Sequence, residues 1–248
     1  MIPTLTRLNL SLTSLAVVAL SACSSTERSR ALDDSNVKAP VIAMQVCANC
    51  HGVTGISTSP NFPHLAGQTP AYLTAQLKSF KTHGRSDPAG FEYMWGLSAR
   101  LSDQQIAGLA DYFSAQRPGT GKQADTAAFQ EGKKIFESGI VSSNTPACAT
   151  CHGAKGEGMG QFPGLAGQHA DYVVKQLMVF QRTDERPEGS IMKNIAHGLS
   201  KENMDNIAAY LQACLCKNKG CFAHHWRSRH HVVCARRGGI LVDRSRPL

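Results

Sequence analysis

The chain has no apolar run long enough to cross a bilayer. Its best candidate, Leu8 to Leu20, is thinned by Ser and Thr and falls short of the roughly 20 residues a helical span needs. Strand signals are thin throughout, which argues against sheet folds and against the βαβ setting of a thioredoxin-like protein. Basic charge on the body is missing too. The formal net charge is +8, yet residues 214–248 alone hold eight Lys/Arg against one acid, Asp243. Between Cys23 and Ala213 there are 17 basic and 17 acidic residues. A nucleic-acid partner needs basic residues gathered on the folded body, so none is expected.

What is present begins with a leader. Arg7 is a short positive region, Leu8 to Leu20 an apolar one, and Leu20-Ser21-Ala22-Cys23 brings small residues up to a cysteine. Residues 1–22 therefore read as a lipoprotein-type signal peptide, with Cys23 as the lipid-bearing first residue of the mature chain. Each buried methylene of an acyl chain adds about 0.8 kcal/mol, so several chains would tether a soluble body to a membrane surface without spanning it.

The strongest organisational signal is an internal repeat. Cys47-Ala-Asn-Cys50-His51-Gly52 returns as Cys148-Ala-Thr-Cys151-His152-Gly153, and Phe62-Pro63-His-Leu65-Ala66-Gly67-Gln68 as Phe162-Pro163-Gly-Leu165-Ala166-Gly167-Gln168. Tyr72 answers to Tyr172, Gln76-Leu77 to Gln176-Leu177, Leu101-Ser102 to Leu199-Ser200 and Tyr112 to Tyr210. Both halves read as helical. Ser102 with Gln105 is a capping signature, and Ile106, Leu109, Ala110 and Phe113 then share one helix face. Met204, Ile207, Ala208 and Leu211 repeat that face after Ser200. Middle helices are expected over 71–81 and 170–181, and N-terminal ones over 41–49, with Pro40 allowed at the start, and 126–138. Gln116 to Gln123 is rich in Gly and Pro and reads as a linker.

Cys-x-x-Cys-His has a geometric reason for its spacing. Two intervening residues set two sulfurs apart by the distance between the vinyl groups of a haem, and the next residue, His, falls under the iron. Zinc ribbons pair their knuckles within a few tens of residues, whereas 97 residues separate these two copies. Two covalently bound haem c groups follow, held by Cys47, Cys50 and His51 and by Cys148, Cys151 and His152.

Each iron wants a sixth ligand, and methionine sulfur raises the potential for electron transfer. Met44 stands too close to its cysteine, Met178 and Met204 fall on helices, and Met159 lies in a loop just past His152. Met94 and Met192 alone hold equivalent places, each seven residues before a Leu-Ser pair, and are the candidate axial ligands. His83 or His197 would be rivals, but neither has a counterpart in the other repeat. Pro63 and Pro163 follow their histidines at similar intervals. Their carbonyls either accept the axial Nδ1 proton or belong to simple turns. The Leu-Ala-Gly-Gln runs are expected to begin or brace the middle helices, with no chemistry of their own.

These residues resemble the cytochrome c4 family of dihaem electron carriers over about residues 40–213. The likeness rests on Cys-x-x-Cys-His-Gly, on Phe-Pro-x-Leu-Ala-Gly-Gln, and on Met94 followed by Leu101 to Phe113, with Met192 through Tyr210 matching in the second half. It implies an all-α protein of two tandem class I cytochrome c domains related by pseudo-twofold symmetry, with haem propionates facing each other across the interface. It also implies His/Met ligation at His51, Met94, His152 and Met192. The activity implied is outer-sphere electron transfer rather than enzymatic catalysis. Electrons would come from a quinol-cytochrome c reductase or a dehydrogenase and go to a haem-copper oxidase, in the periplasm. Alternatives are a haem subunit of a dehydrogenase complex and a dihaem peroxidase.

The expected organisation is signal 1–22, flexible tether 23–37, cytochrome c domain 38–118, linker 119–123, second domain 124–213 and a tail, 214–248. The first domain carries six basic and four acidic residues and the second eight and ten, an asymmetry able to orient the molecule between partners. Two departures stand out. Gly132 supplies the small residue on which the N-terminal and C-terminal helices cross in such domains, and the first half has no glycine to match it. The tail, with Cys214, Cys216, Cys221, Cys234 and four His, has no counterpart in the family. It reads as a disordered extension, although its residue types could ligate a metal.

Overall fold

The computed structural model describes residues 31–119, 121 and 126–214. The signal segment, Cys23, most of the 119–123 linker and the tail beyond Cys214 lie outside the described residues. Cys214 itself is buried and disulfide-bonded. Among the described residues there are helices and only two isolated β-bridges, Ile140 with Thr145 and Met159 with Phe162. None of those helices is long and apolar enough to cross a membrane.

The first half holds α1 (39–51), α2 (Pro70–Lys81), α3 (90–98) and α4 (Asp103–Ser114). The second holds α5 (Ala127–Ser138), α6 (Ala149–His152), α7 (Ala170–Arg182), α8 (Ser190–His197) and α9 (Lys201–Ala213). Their ends are set by local chemistry. Ser102 accepts from the Gln105 amide while the Gln105 side chain reaches back to the Ser102 amide, so both orphan donors are satisfied. Ser200, Thr69 and Thr126 cap α9, α2 and α5 through their hydroxyls.

Helix α1 runs further than its hydrophobic period predicts, through the whole Cys-x-x-Cys-His unit. Its middle, Ala43–Cys47, is wound as a π-helix. Helix α3, which the sequence pattern did not suggest, has a π segment too, Gly90–Met94. Each of these widened turns ends on a candidate haem residue, Cys47 and Met94, as π-bulges often do at functional positions. In the second half α5 and α6 are separate helices with a loop between them, and α8 is plain α-helix.

Two separate cores result. Ile42, Leu73, Leu101, Ile106, Leu109 and Phe113 form one, and Phe129, Ile135, Phe136, Leu177, Met204 and Leu211 anchor the other. In the second, α5 crosses α9 so closely that a Cβ built on Gly132 would lie 1.9 Å from the Asn206 carbonyl oxygen. The first half does keep a close crossing of α1 on α4, which its lack of an N-terminal glycine had not suggested. A Cβ on Gly108 would stand 2.8 Å from Ala39 Cβ. Gly108 is the repeat equivalent of Asn206, so the glycine has moved to the C-terminal helix while the contact has stayed.

Candidate haem sites and the interface between them

His51 closes α1 and His152 closes α6, each followed by a glycine with positive φ, 77° at Gly52 and 86° at Gly153. That positive φ, with an extended ψ that only glycine adopts readily, turns the chain sharply away from the helix. A Cβ on Gly52 would fall 2.3 Å from the Ile56 carbonyl oxygen, so no larger residue fits the return.

The chain then comes back beneath the imidazole. His51 Nδ1 lies 2.9 Å from the Pro63 carbonyl oxygen, and His152 Nδ1 lies 2.8 Å from that of Pro163. Of the two roles open to these prolines, the carbonyl-acceptor role is the one observed. Because a carbonyl only accepts, Nδ1 carries the proton and Nε2 keeps its lone pair. Burial holds both imidazoles below the ordinary histidine pKa, against the opposing pull of the proline carbonyls, so both are neutral bases ready to ligate. Phe62 and Phe162 meet the rings edge-on at 6.1 and 6.3 Å.

The four motif cysteines are free thiols rather than disulfides. Burial pushes Cys47 and Cys148 up to about 11. Unpaired sulfurs one helical turn apart beside a neutral imidazole suit thioether attachment of a haem, and the residues therefore fit that group. Among the described residues there is no cluster of three or more His, Cys, Asp or Glu for a different metal.

Met94 and Met192 are half-buried at equivalent places on α3 and α8, which pack on the middle helices α2 and α7. Met192 lies against the second core. The other described methionines are otherwise engaged. Met44 and Met159 are 49% and 57% exposed, Met204 is deep in the core and Met178 packs against it. Both histidine rivals have other contacts. His83, exposed and left-handed, stacks on Trp95 with ring centres 4.1 Å apart, and His197 turns back to the Lys193 carbonyl.

What sequence reasoning missed lies between the halves. The Leu-Ala-Gly-Gln runs lead into the middle helices, as expected, but their backbone braces other elements: Leu65 and Ala66 donate to Gly55, Leu165 and Ala166 to Gly156, and Gly67 and Gly167 to the last turns of α4 and α9. Their glutamines reach across. Gln68 Nε2 donates to the Gly164 carbonyl at 3.0 Å while its Oε1 accepts from the Gly164 amide at 2.7 Å. Gln168 does the same to His64, at 3.0 and 2.9 Å. The exchange is reciprocal, as a twofold contact must be.

A second layer is equally paired. Arg85 and Arg186 are both buried, each over a phenylalanine ring, Phe80 or Phe180. Arg85 grips Asp87 through two nitrogens and donates to Gln76 and Gln176; Arg186 binds Glu188 and the same two glutamines. Burial raises the Asp87 pKa, but the bonds and charge of Arg85 outweigh it and hold the carboxyl below its ordinary value. The sequence carries one trace of both layers, the repetition in register of Gln68 and Gln76 as Gln168 and Gln176.

The family described as Cytochrome c matches this chain twice, over residues 37–116 and 129–214. Cytochrome c4 of Stutzerimonas stutzeri is 40% identical over 67% of this chain and 83% of that protein. Cytochrome c-552 of Acidithiobacillus ferridurans is 39% identical over 75% of this chain and 81% of its own length. A thiosulfate dehydrogenase electron acceptor of Thiomonas intermedia is 31% identical over 67% and 77%. The solved cytochrome c4 of Acidithiobacillus ferrooxidans superposes with a TM-score of 0.63 at 41% identity, covering 67% of this chain and 97% of that one. With two tandem cytochrome c units, two covalent haem c sites and a reciprocal interface, the chain belongs to the cytochrome c4 family of dihaem electron carriers.

Proposed function

We propose that this protein is an outer-sphere one-electron carrier of the periplasm, with His51 and Met94 as the axial pair of one haem and His152 and Met192 as that of the other. The observation that carries the reading is the matched anchoring of both histidines, each with Nδ1 on a proline carbonyl and Nε2 free. A haem bound there supplies a reversible one-electron couple. The chain's own residues fix its terms. Pro63 and Pro163 lock the tautomer and ring direction. Burial of His51 and His152, which are 9% and 6% exposed, keeps water from the ligating nitrogen. The half-buried Met94 and Met192 would each supply a second protein ligand to the iron, which would leave small molecules no open position and disfavour peroxide chemistry.

The mature chain would begin at lipidated Cys23 and continue through a tether, 23–37, into domains 38–118 and 124–213. It would receive electrons from a quinol-cytochrome c reductase or a dehydrogenase and deliver them to a haem-copper oxidase. A second reading has a specific support, the similarity to a thiosulfate dehydrogenase electron acceptor: the protein would then serve one dehydrogenase as its dedicated acceptor.

The test is a reduced-minus-oxidised spectrum of purified protein with a haem count. Two haems per chain and methionine-to-iron charge-transfer absorption for both are expected. One haem, or a high-spin site that reacts quickly with peroxide, would defeat the reading. Reduction rates with a thiosulfate dehydrogenase against those with a quinol-cytochrome c reductase separate the two donors.

A further inference from the structure

The glutamine clamp touches more than the surface of the other half. The Pro63–His64 peptide presents its carbonyl to His51 Nδ1 at 2.9 Å and its N–H to Gln168 Oε1, also at 2.9 Å. One planar amide therefore joins the axial histidine of the first half to a side chain of the second. The Pro163–Gly164 peptide repeats this, with His152 on its carbonyl at 2.8 Å and Gln68 on its N–H at 2.7 Å.

The orientation of both glutamine amides is over-determined. Oε1 of Gln168 also accepts from the His169 amide, and Oε1 of Gln68 from that of Thr69, while each Nε2 donates to a carbonyl. A flipped amide would set Nε2 against two N–H donors.

Peptide resonance couples the two ends of such a unit. An acceptor on the N–H draws the nitrogen lone pair into the amide and puts more negative charge on the carbonyl oxygen, so that oxygen accepts more strongly. A stronger acceptor at Nδ1 makes the imidazole a more basic ligand, as outer-shell partners of metal-bound histidines do, and favours the oxidised iron.

We propose that Gln168 and Gln68 are positioning residues for electron transfer that act crosswise, each setting the ligand strength of the axial histidine in the opposite half. The coupling rests on His51 and His152 being the axial ligands. It runs through two hydrogen bonds and one peptide, and it makes the potential of each haem depend on the two halves staying docked.

The experiment uses the full-length, haem-loaded protein with 15N-labelled histidine in the ferrous, diamagnetic state. It reads the two Nδ1–H proton resonances together with the two reduction potentials. Gln168→Leu should move the His51 Nδ1–H signal upfield, leave that of His152 in place, and raise the potential of the first haem. A change of about threefold in the reduction equilibrium is the expected size, which at 59 mV per tenfold is about 28 mV. Gln68→Leu should do the same to His152 and the second haem. Gln168→Glu keeps an acceptor on the His64 amide and strengthens it, so the His51 signal should move downfield.

A clamp that only glues the halves together would shift both haems in either leucine variant, and would give leucine and glutamate the same sign. Either result overturns the proposal, as does a shift confined to the variant's own half. If Gln168→Leu does not mature, the sign for Gln168→Glu decides alone. The ligand assignment fails separately: it is refuted if the unsubstituted protein lacks His/Met spectral features, whereas uncrossed shifts with those features intact refute only the crosswise coupling.

Discussion

Replacing Gly132 by alanine should loosen the second half and leave the first untouched. A Cβ there would sit 1.9 Å from the Asn206 carbonyl oxygen and 2.5 Å from its carbon. Both are backbone atoms in the middle of α9, so no rotamer change relieves the overlap and the two helices must part. Overpacking of this kind costs about 1–3 kcal/mol, and a rigid backbone obstacle puts it near the upper figure. Alanine recovers up to about 1 kcal/mol of helix propensity, leaving a net loss of roughly 2 kcal/mol. For a domain of this size each kcal/mol is worth about 4–8 °C, so the second-half transition should fall by about 8–16 °C.

Thermal unfolding of the haem-loaded protein, with hydrogen exchange at α9 and α4 amides to assign each transition, measures this. The first half supplies the control. Gly108→Ala meets only the Ala39 methyl, at 2.8 Å, should cost about 1 kcal/mol, and should be rescued by Ala39→Gly, which recreates the arrangement of the second half. An unchanged second transition in Gly132→Ala, or a failure of Ala39→Gly to rescue Gly108→Ala, would refute the helix-crossing argument.

Met94→Ala and Met192→Ala should each remove about half of the methionine-to-iron absorption and lower one potential, as titration followed in the visible region will show; retention of the full band in either would reassign that ligand. Cys148→Ala with Cys151→Ala should halve the haem count per chain and unfold the second half, since a domain this small has little core of its own, read by pyridine haemochrome assay and circular dichroism. Acid should weaken the contact between halves. His64 accepts the Ser57 amide on Nδ1 and meets His169 at a tilt with ring centres 4.0 Å apart, and burial, then His169 and His51, lower it from 6.5 to about 4. The folded pKa is depressed, so the stability is complete above pH 6.5 and is lost progressively as pH falls towards 4. His64→Gln should flatten that limb of a stability–pH profile.

The repeat, the N-terminal, middle and C-terminal helices and the spacing of the Cys-x-x-Cys-His units could be read from the chain because they are local. Cys-x-x-Cys-His encodes its own spacing, Ser102 with Gln105 its own cap, and the apolar period from Ile106 to Phe113 its own buried face. The histidine-to-proline bonds were open between two readings, since an interval of about a dozen residues is compatible with a turn or a contact. Helix α3 was missed because its π segment obeys neither the helical nor the strand period.

Sequence alone thus determined the two haem sites and the helical duplicate that carries them, since covalent spacing and helix periodicity are properties of neighbouring residues. Only the tertiary structure decided that Gln68 and Gln168 cross between the halves, that Arg85 and Arg186 share Gln76 and Gln176, and that the first half keeps its helix crossing with the glycine on the other partner. Those facts depend on which surfaces meet some hundred residues apart. A repeated polar residue looks the same in sequence whether it faces water or a buried amide in the other domain, and burial, with its demand that every polar group be satisfied, separates the two.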